Sequence, residues 1–225
     1  MKVTYLGHGS FSIVVNNKTL VVDPFITGNS LAKNIDVNKL AADYILITHA
    51  HQDHILDVET IAKNTDAMII SNYEIVMHYG AKDFKGHPLN HGGKVVLDAI
   101  EIKYVNAIHT SSFPDGSYGG QPGGFVISYN GKSLYIAGDT AVTFDMKLIP
   151  MQTTLDLAIL PIGDNFTMGV EDAIIASDFV ACNKVLGCHF DTFPPIEIDK
   201  NKAIEAFKAK NKELILLEIG SSLTI

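Results

Sequence analysis

The sequence predicts an α/β protein built from two packed β-sheets with helices on the outside. Short apolar strands recur in both halves of the chain, and each half also contains segments in which apolar residues have helical spacing. No linker, repeat or low-complexity tract separates the two halves. We therefore expect residues 1–225 to fold as a single domain.

The composition argues against several classes of function. Hydrophobic residues make up 47% of the 225 residues, which is enough to bury a sizeable core. A formal net charge of −8 and the lack of any lysine cluster argue against nucleic acid as a partner. All 17 cationic positions are lysine, so one chain cannot clamp a phosphate group with a bidentate guanidinium group.

The sequence also indicates a cytoplasmic location. Cys182 and Cys188 are too few for a disulfide framework, and we expect both to be reduced thiols. The amino terminus leads directly into a strand and lacks the features of a signal peptide. Since no apolar run approaches the length of a membrane span, we expect no membrane partner, and the resemblance described below implies a small-molecule substrate.

Two polar residues lie beside the first strands, which are predicted over residues 2–6, 11–15 and 19–22. His8 is in the glycine-rich turn G-H-G-S and either faces a functional site or packs structurally. Asp23 ends the third strand, where it either accepts hydrogen bonds from imidazole N–H groups or opens a turn.

The densest group of candidate metal ligands directly follows a buried strand predicted over residues 44–48. It is the stretch T-H-A-H-Q-D-H at residues 48–54, which contains His49, His51, Asp53 and His54. A turn after a strand end can aim several side chains at one point, and four nitrogen and oxygen donors suit a divalent metal. A histidine-rich polar loop is the alternative, but the spacing H-x-H-x-D-H favours a metal site.

The remaining elements alternate between helices and strands. Helical spacing predicts helices over residues 55–63, 73–79, 171–182 and 202–210. Apolar runs predict strands over residues 67–70, 94–97, 100–105, 125–129, 133–137, 155–160, 184–187 and 213–219. Residues 80–93 are expected to form a loop, and the long glycine-rich loop 110–124 is interpreted as an active-site lid.

Three further candidate ligands also come at strand ends: His109, Asp139 and His189. Together with the residues of the 48–54 stretch they make seven nitrogen and oxygen donors, about three for each of two metals with one carboxylate shared. Zinc suits such a set, and manganese or iron is also compatible. Two neighbouring ions would hold a bridging hydroxide at neutral pH and polarise a carbonyl or phosphoryl oxygen.

This set of motifs resembles the metallo-β-lactamase superfamily, whose fold is an αβ/βα four-layer sandwich of two mixed sheets with a dinuclear site between them. The resemblance implies that the first metal is held by His49, His51 and His109. It implies that the second metal is held by Asp53, His54 and His189. Asp139, in A-G-D-T, would be the bridging carboxylate, and Asp23 would lie behind the ligands.

Four longer motifs are similar to the small bacterial and archaeal "metal-dependent hydrolase" branch: G-H-G-S, H-T-S-S-F-P-D-G, and residues 161–173 and 189–197. That branch is similar to the L-ascorbate-6-phosphate lactonases and, more distantly, to the N-acylphosphatidylethanolamine phospholipase D enzymes. Asp164 lies in the third motif and either contacts the substrate or a ligand histidine, or serves as a cap or turn residue. For His78, His87 and His91 surface or structural roles are expected.

The function expected from this resemblance is hydrolysis of an ester- or lactone-type carbonyl by a dinuclear metal site. Asp139 would orient the bridging nucleophile, and Asp53 would also accept a hydrogen bond from it. A phosphodiesterase on the same site is the main alternative, followed by a diiron redox protein and a non-catalytic scaffold. His51 and His54 fit the hydrolase pattern, and the resemblance also implies a homo-oligomer.

Overall fold

The computed structural model describes residues 1–225 and contains two seven-stranded mixed sheets. The first sheet has seven strands: β1 (Lys2–Gly7), β2 (Ser10–Val15), β3 (Lys18–Val22), β4 (Tyr44–Leu46), β5 (Met68–Asn72), β6 (Gly86–Leu89) and β14 (Ser222–Thr224). Their order across the sheet is β14-β1-β2-β3-β4-β5-β6. Strands β3 to β6 are parallel to one another, whereas β1, β2 and β3 pair antiparallel.

The second sheet repeats this plan. Its strands are β7 (Lys94–Leu97), β8 (Ile100–Asn106), β9 (Gly123–Tyr129), β10 (Lys132–Ile136), β11 (Leu157–Pro161), β12 (Lys184–Cys188) and β13 (Glu213–Ile215). They lie in the order β13-β12-β11-β10-β9-β8-β7. Strands β10 to β13 are parallel, and β7 to β10 form antiparallel pairs.

Helices cover the outer face of each sheet. They are α1 (Gln52–Ile55), α2 (Val58–Thr65), α3 (Tyr73–Gly80), α4 (Val170–Phe179) and α5 (Lys200–Lys208), with 3₁₀ helices at Val37–Lys39, Phe144–Leu148 and Pro194–Ile196. Helices α2 and α3 pack on the first sheet, and α4 and α5 pack on the second. None of the helices combines the length and the apolar character that crossing a bilayer requires.

A third core lies between the two sheets and joins them. Phe11 and Leu20 of the first sheet pack there with Ile127 and Ile159 of the second, and all four are fully buried. Alternate residues of these strands face this core and the helices, so both faces of each sheet are apolar. The layers therefore run helix, sheet, sheet, helix, and the predicted αβ/βα sandwich is confirmed.

Three predicted elements are wrong in detail. The helix expected over residues 55–63 begins only at Val58, because the backbone of Asp57 is not helical and its N–H donates to the Pro24 carbonyl oxygen, and Ile55 instead ends the separate helix α1. The loop expected over residues 80–93 contains β6, which pairs with β5 through backbone groups and carries Pro88. The strand expected over residues 213–219 ends at Ile215, after which the chain crosses to the first sheet as β14.

Candidate metal centre

Candidate ligands come from one edge of the molecule, where six strands end. Strands β1, β3 and β4 run in one direction in the first sheet, and β8, β10 and β12 run in one direction in the second. The residues that follow their carboxyl ends are His8, Asp23, the 48–54 stretch, His109, Asp139 and His189. Because the ends of like-directed strands meet at the same edge, residues distant in sequence are brought together there.

The first donor group consists of His49, His51 and His109, whose ligand atoms all lie within 4.8 Å of one another. His49 Nε2 and His51 Nδ1 are 3.0 Å apart. Burial lowers the pKa of all three rings, most strongly that of His49. The rings are therefore neutral near pH 7, which is the form that offers a lone pair to a metal.

The second donor group consists of Asp53, His54 and His189. The Oδ2 atom of Asp53 lies 3.8 Å from Nε2 of His54 and 3.8 Å from Nε2 of His189. Both Nε2 atoms are buried and have no hydrogen-bond partner. Buried polar atoms nearly always have a partner, so these nitrogens, pointing toward a carboxylate, fit a site for a bound cation.

Asp139 lies between the two groups. Its Oδ2 atom is 3.1 Å from His189 Nε2 and 3.3 Å from His54 Nε2, and 3.6 and 3.9 Å from Nε2 of His109 and His49. Burial by itself raises the pKa of Asp139, but the His189 and His54 rings outweigh it and hold that pKa well below its usual range. One ionised carboxylate thus reaches both donor groups.

Asp23 fixes the orientation of two of the ligand rings. Its carboxylate accepts from His54 Nδ1 at 2.9 Å, from the Thr48 backbone N–H at 2.7 Å and from the Thr48 hydroxyl at 2.6 Å. The Thr48 hydroxyl oxygen accepts in turn from His49 Nδ1 at 3.0 Å. These bonds place the protons of His49 and His54 on Nδ1 and leave both Nε2 atoms facing Asp139.

The other two predicted residues have different surroundings. The ring of His8 is fully buried, and its Nε2 lies 3.0 Å from Oδ2 of the candidate ligand Asp53, while a role in the site stays a prediction. Asp164 is exposed at a turn with a positive φ of 62°, where its carboxylate accepts from the backbone N–H of Asn165. It makes no hydrogen bond to the cluster, and a contact with substrate stays a prediction.

The long loop after His109 is anchored along most of its length. The Ser111 hydroxyl accepts from the backbone N–H of Ala50 and donates to the Gly119 carbonyl oxygen. The amide of Asn72 donates to the same carbonyl oxygen, and the Phe113 ring stacks on His78 at 3.8 Å between ring centroids. The tip is closed by a β-bridge between Ser112 and Tyr118, whose side chain is exposed, and a lid over residues 110–124 stays a prediction.

Three hydroxyl groups of the site escape sequence reasoning. They are the hydroxyls of Thr110, which lies 3.3 Å from His51 Nε2, of Ser111, and of Thr192, which lies 3.0 Å from His8 Nδ1. Ser and Thr are common in loops and have no spacing that marks a metal site. All three stand within motifs that the sequence singles out, Thr110 and Ser111 in H-T-S-S-F-P-D-G and Thr192 at residues 189–197, but the motifs do not show which of their residues contact the ligands.

Comparisons with known proteins agree with this fold. Residues 2–189 match the family described as the beta-lactamase superfamily domain, so the chain belongs to the β-lactamase superfamily. A Flavobacterium johnsoniae protein named UPF0173 metal-dependent hydrolase is 63% identical over 225 residues, 100% of both chains. Within the superfamily, the chain belongs to this UPF0173 metal-dependent hydrolase family.

Solved structures extend the comparison. Igni18, described as a novel metallo hydrolase from the hyperthermophilic archaeon Ignicoccus hospitalis, is 33% identical with a TM-score of 0.91, over 100% of this chain and 97% of that chain. The predicted superfamily and branch are confirmed, while the likeness to L-ascorbate-6-phosphate lactonases stays a prediction.

The fold alone does not separate the hydrolase hypothesis from the redox alternative. CmlA, a diiron β-hydroxylase from Streptomyces venezuelae, matches this chain with a TM-score of 0.75 at 13% identity, over 100% of this chain and 54% of that chain. Such a likeness shows the fold and nothing about chemistry. The argument for function therefore depends on the donor atoms of this chain.

Proposed function

We propose that this protein is a metal-dependent hydrolase that holds two divalent ions and cleaves a small-molecule ester or lactone. The family to which the chain belongs is named for metal-dependent hydrolysis. His49, His51 and His109 would hold one ion, and Asp53, His54 and His189 the other. Zinc suits these imidazole and carboxylate donors, and manganese or iron is also compatible.

The position of Asp139 carries the proposal. Its buried Oδ2 atom lies within 3.9 Å of four imidazole Nε2 atoms, two from each donor group. A carboxylate that a polar surface loop contained by chance would be solvated and would face few such nitrogens. The position of this ionised oxygen among four imidazole rings instead supports the proposal that two ions would share the Asp139 carboxylate.

Two divalent ions supply a nucleophile from water at neutral pH and polarise the carbonyl under attack. The chain itself supplies two carboxylates with different access to solvent. The Asp139 side chain is 5% exposed and would orient the attacking water from inside the site. The Asp53 side chain is 28% exposed and would accept a second hydrogen bond from that water at the open side.

We rank ester or lactone cleavage above phosphodiester cleavage because no lysine or arginine side chain donates a hydrogen bond within the cluster. The chain has no arginine, and every hydrogen bond within the cluster comes from histidine, threonine or backbone groups rather than from lysine. A phosphodiester keeps its negative charge throughout the reaction and is usually bound with help from cationic side chains. A neutral carbonyl compound does not need them.

The experiment is a paired panel of substrates for the zinc- or manganese-loaded protein. We expect turnover of carboxyl esters or lactones and none of phosphodiesters. His51→Ala should remove the activity and part of the bound metal, whereas His87→Ala, outside the cluster, should keep both. A wild-type level of turnover by a metal-free protein would refute the proposal, and turnover confined to phosphodiesters would move it to the alternative.

A further inference from the structure

His8 occupies an unusual backbone position for a histidine. It follows β1 with a positive φ of 55°, between two glycines. A side chain at Gly7 would place its Cβ 2.6 Å from the Asn29 amide nitrogen, and one at Gly9 would place its Cβ 3.0 Å from the His54 ring. The turn is therefore packed directly against a ligand ring, and a left-handed residue other than glycine at such a place is often functional.

The two ring nitrogens of His8 have distinct partners. Nε2 lies 3.0 Å from Asp53 Oδ2, and Nδ1 lies 3.0 Å from the Thr192 hydroxyl oxygen. A carboxylate only accepts, so Nε2 carries the proton and donates. In a neutral imidazole the nitrogen without the proton accepts, so Nδ1 accepts from the Thr192 hydroxyl, whose other contact, the Phe190 carbonyl oxygen, is longer at 3.4 Å.

His8 lies among the possible ligands in the same cluster as Asp53, His54 and His189, but both of its ring nitrogens have hydrogen-bond partners and neither is free for a metal or a substrate. Its side chain is 0% exposed and is enclosed by the rings of His189, Phe25 and Phe193, with centroids 4.0, 5.5 and 5.4 Å away. A ring nitrogen that donates a proton cannot bind an ion at the same time. The ring therefore acts on the site through Asp53.

Asp53 depends on this contact. The hydrogen bond from His8 is the one that its carboxylate accepts from the protein, since Nε2 of His54 and of His189 are each 3.8 Å away. Asp139, in contrast, is buried among four rings. Without His8, the partly exposed Asp53 side chain would be free to change rotamer.

We propose that Thr192 and His8 form a positioning pair, in which the Thr192 hydroxyl holds the proton of His8 on Nε2 so that His8 fixes Asp53 for the second ion. The proposal builds on the proposed function, because it assigns Asp53 to that ion. It adds the loop after β12, which carries Thr192, to the segments that orient the second donor group.

Thr192→Val tests the pair, since valine keeps the shape and removes the hydroxyl, and Thr192→Ser is the matched control. Replacement of residues behind metal ligands typically weakens metal binding about 10- to 100-fold. In titrations of the metal-free protein with zinc against a chromophoric chelator, we expect such a loss for the second ion in Thr192→Val. The first ion should bind as in the wild type, and Thr192→Ser should bind both.

Nitrogen-15 NMR of the histidine rings gives a readout that does not need activity. The Nδ1 signal of His8 should report an accepted hydrogen bond in the wild type and Thr192→Ser, and the loss of that bond in Thr192→Val. Wild-type binding of both ions together with an unchanged Nδ1 signal in Thr192→Val would overturn the positioning pair. Equal weakening of both ions together with a lower melting temperature would also overturn it, as a purely structural effect.

Different results would refute the proposed function and the positioning pair. If the wild type hydrolyses nothing while Thr192→Val loses only the second ion, the proposed function is wrong and the positioning pair stands. If the wild type hydrolyses esters and Thr192→Val does so equally well with both ions bound, the pair is wrong and the proposed function stands.

Discussion

The first donor group contains three imidazoles and no carboxylate of its own, whereas the second combines two imidazoles with Asp53. Each group takes two ligands from the 48–54 stretch and one from the second sheet, which is His109 after β8 for the first group and His189 after β12 for the second. The second group differs in that its carboxylate is also held by His8 from the end of β1. The second group therefore depends on one more distant segment of the chain than the first. We expect the two groups to differ in affinity, in response to pH and in sensitivity to distant residues.

The largest expected effects come from removing one ring of each group. His109→Ala should leave one ion per chain in the second donor group, and His189→Ala should leave one in the first, because each retains the other ligands. Loss of one ion removes several kcal/mol of charge stabilisation, so hydrolysis should fall roughly 10³-fold or more in both variants.

Metal content by elemental analysis and turnover of the ester panel check this prediction, with His87→Ala as the control. If either variant lost both ions, the two groups would form one cooperative centre and would not bind their ions independently.

Asp23→Asn should affect both donor groups, since Asp23 contacts His54 directly and His49 through Thr48. An amide oriented to keep the bond from Thr48 turns an N–H toward His54 Nδ1 and disturbs its tautomer. We expect each ion to bind about 10- to 100-fold more weakly. Competition with a chromophoric chelator measures this, and a loss limited to one ion would show that Asp23 serves one group alone.

The response to pH should distinguish the groups in a different way. Burial by itself lowers the pKa of His189, but the Asp139 carboxylate raises it to about 9, so this ring is protonated at pH 7 in the metal-free protein. The pKa of His54 is also raised, whereas those of His49, His51 and His109 are lowered. A metal takes the neutral ring, so binding to the second donor group releases protons and binding to the first does not.

The affinity of the second ion should therefore rise with pH up to at least about 9, the pKa of His189, by about tenfold per pH unit for each proton released. The affinity of the first ion should change little over the same range. Calorimetric titration in two buffers with different ionisation enthalpies counts the protons. Equal release at both steps would contradict the assignment of charge to the two groups.

The candidate ligands can be identified from the sequence because they follow apolar strands, and an apolar strand that ends in histidine or aspartate is a local pattern. Strand β6 was missed because Gly86 and Pro88 carry no strand signal, and its pairing with β5 uses backbone atoms alone. The roles of His8 and Thr192 were not predictable in detail, since 184 residues separate them and their contact depends on how the two sheets pack. Candidate ligands can be predicted from one sequence, whereas the hydrogen bonds that orient their side chains depend on the tertiary structure.

The smallest expected effect concerns Asp164, which lies outside both donor groups. Its carboxylate is exposed and accepts from Asn165 within its own turn, so neither donor group depends on it. Asp164→Asn should bind two ions with wild-type affinity, because an asparagine oxygen accepts the same bond and tolerates the positive φ of 62°. Kinetics then separate its two predicted roles: an unchanged KM assigns it to the turn, and a raised KM with unchanged kcat assigns it to substrate binding. Loss of an ion in this variant would extend the second donor group to the loop after β11 and would break the division into two groups.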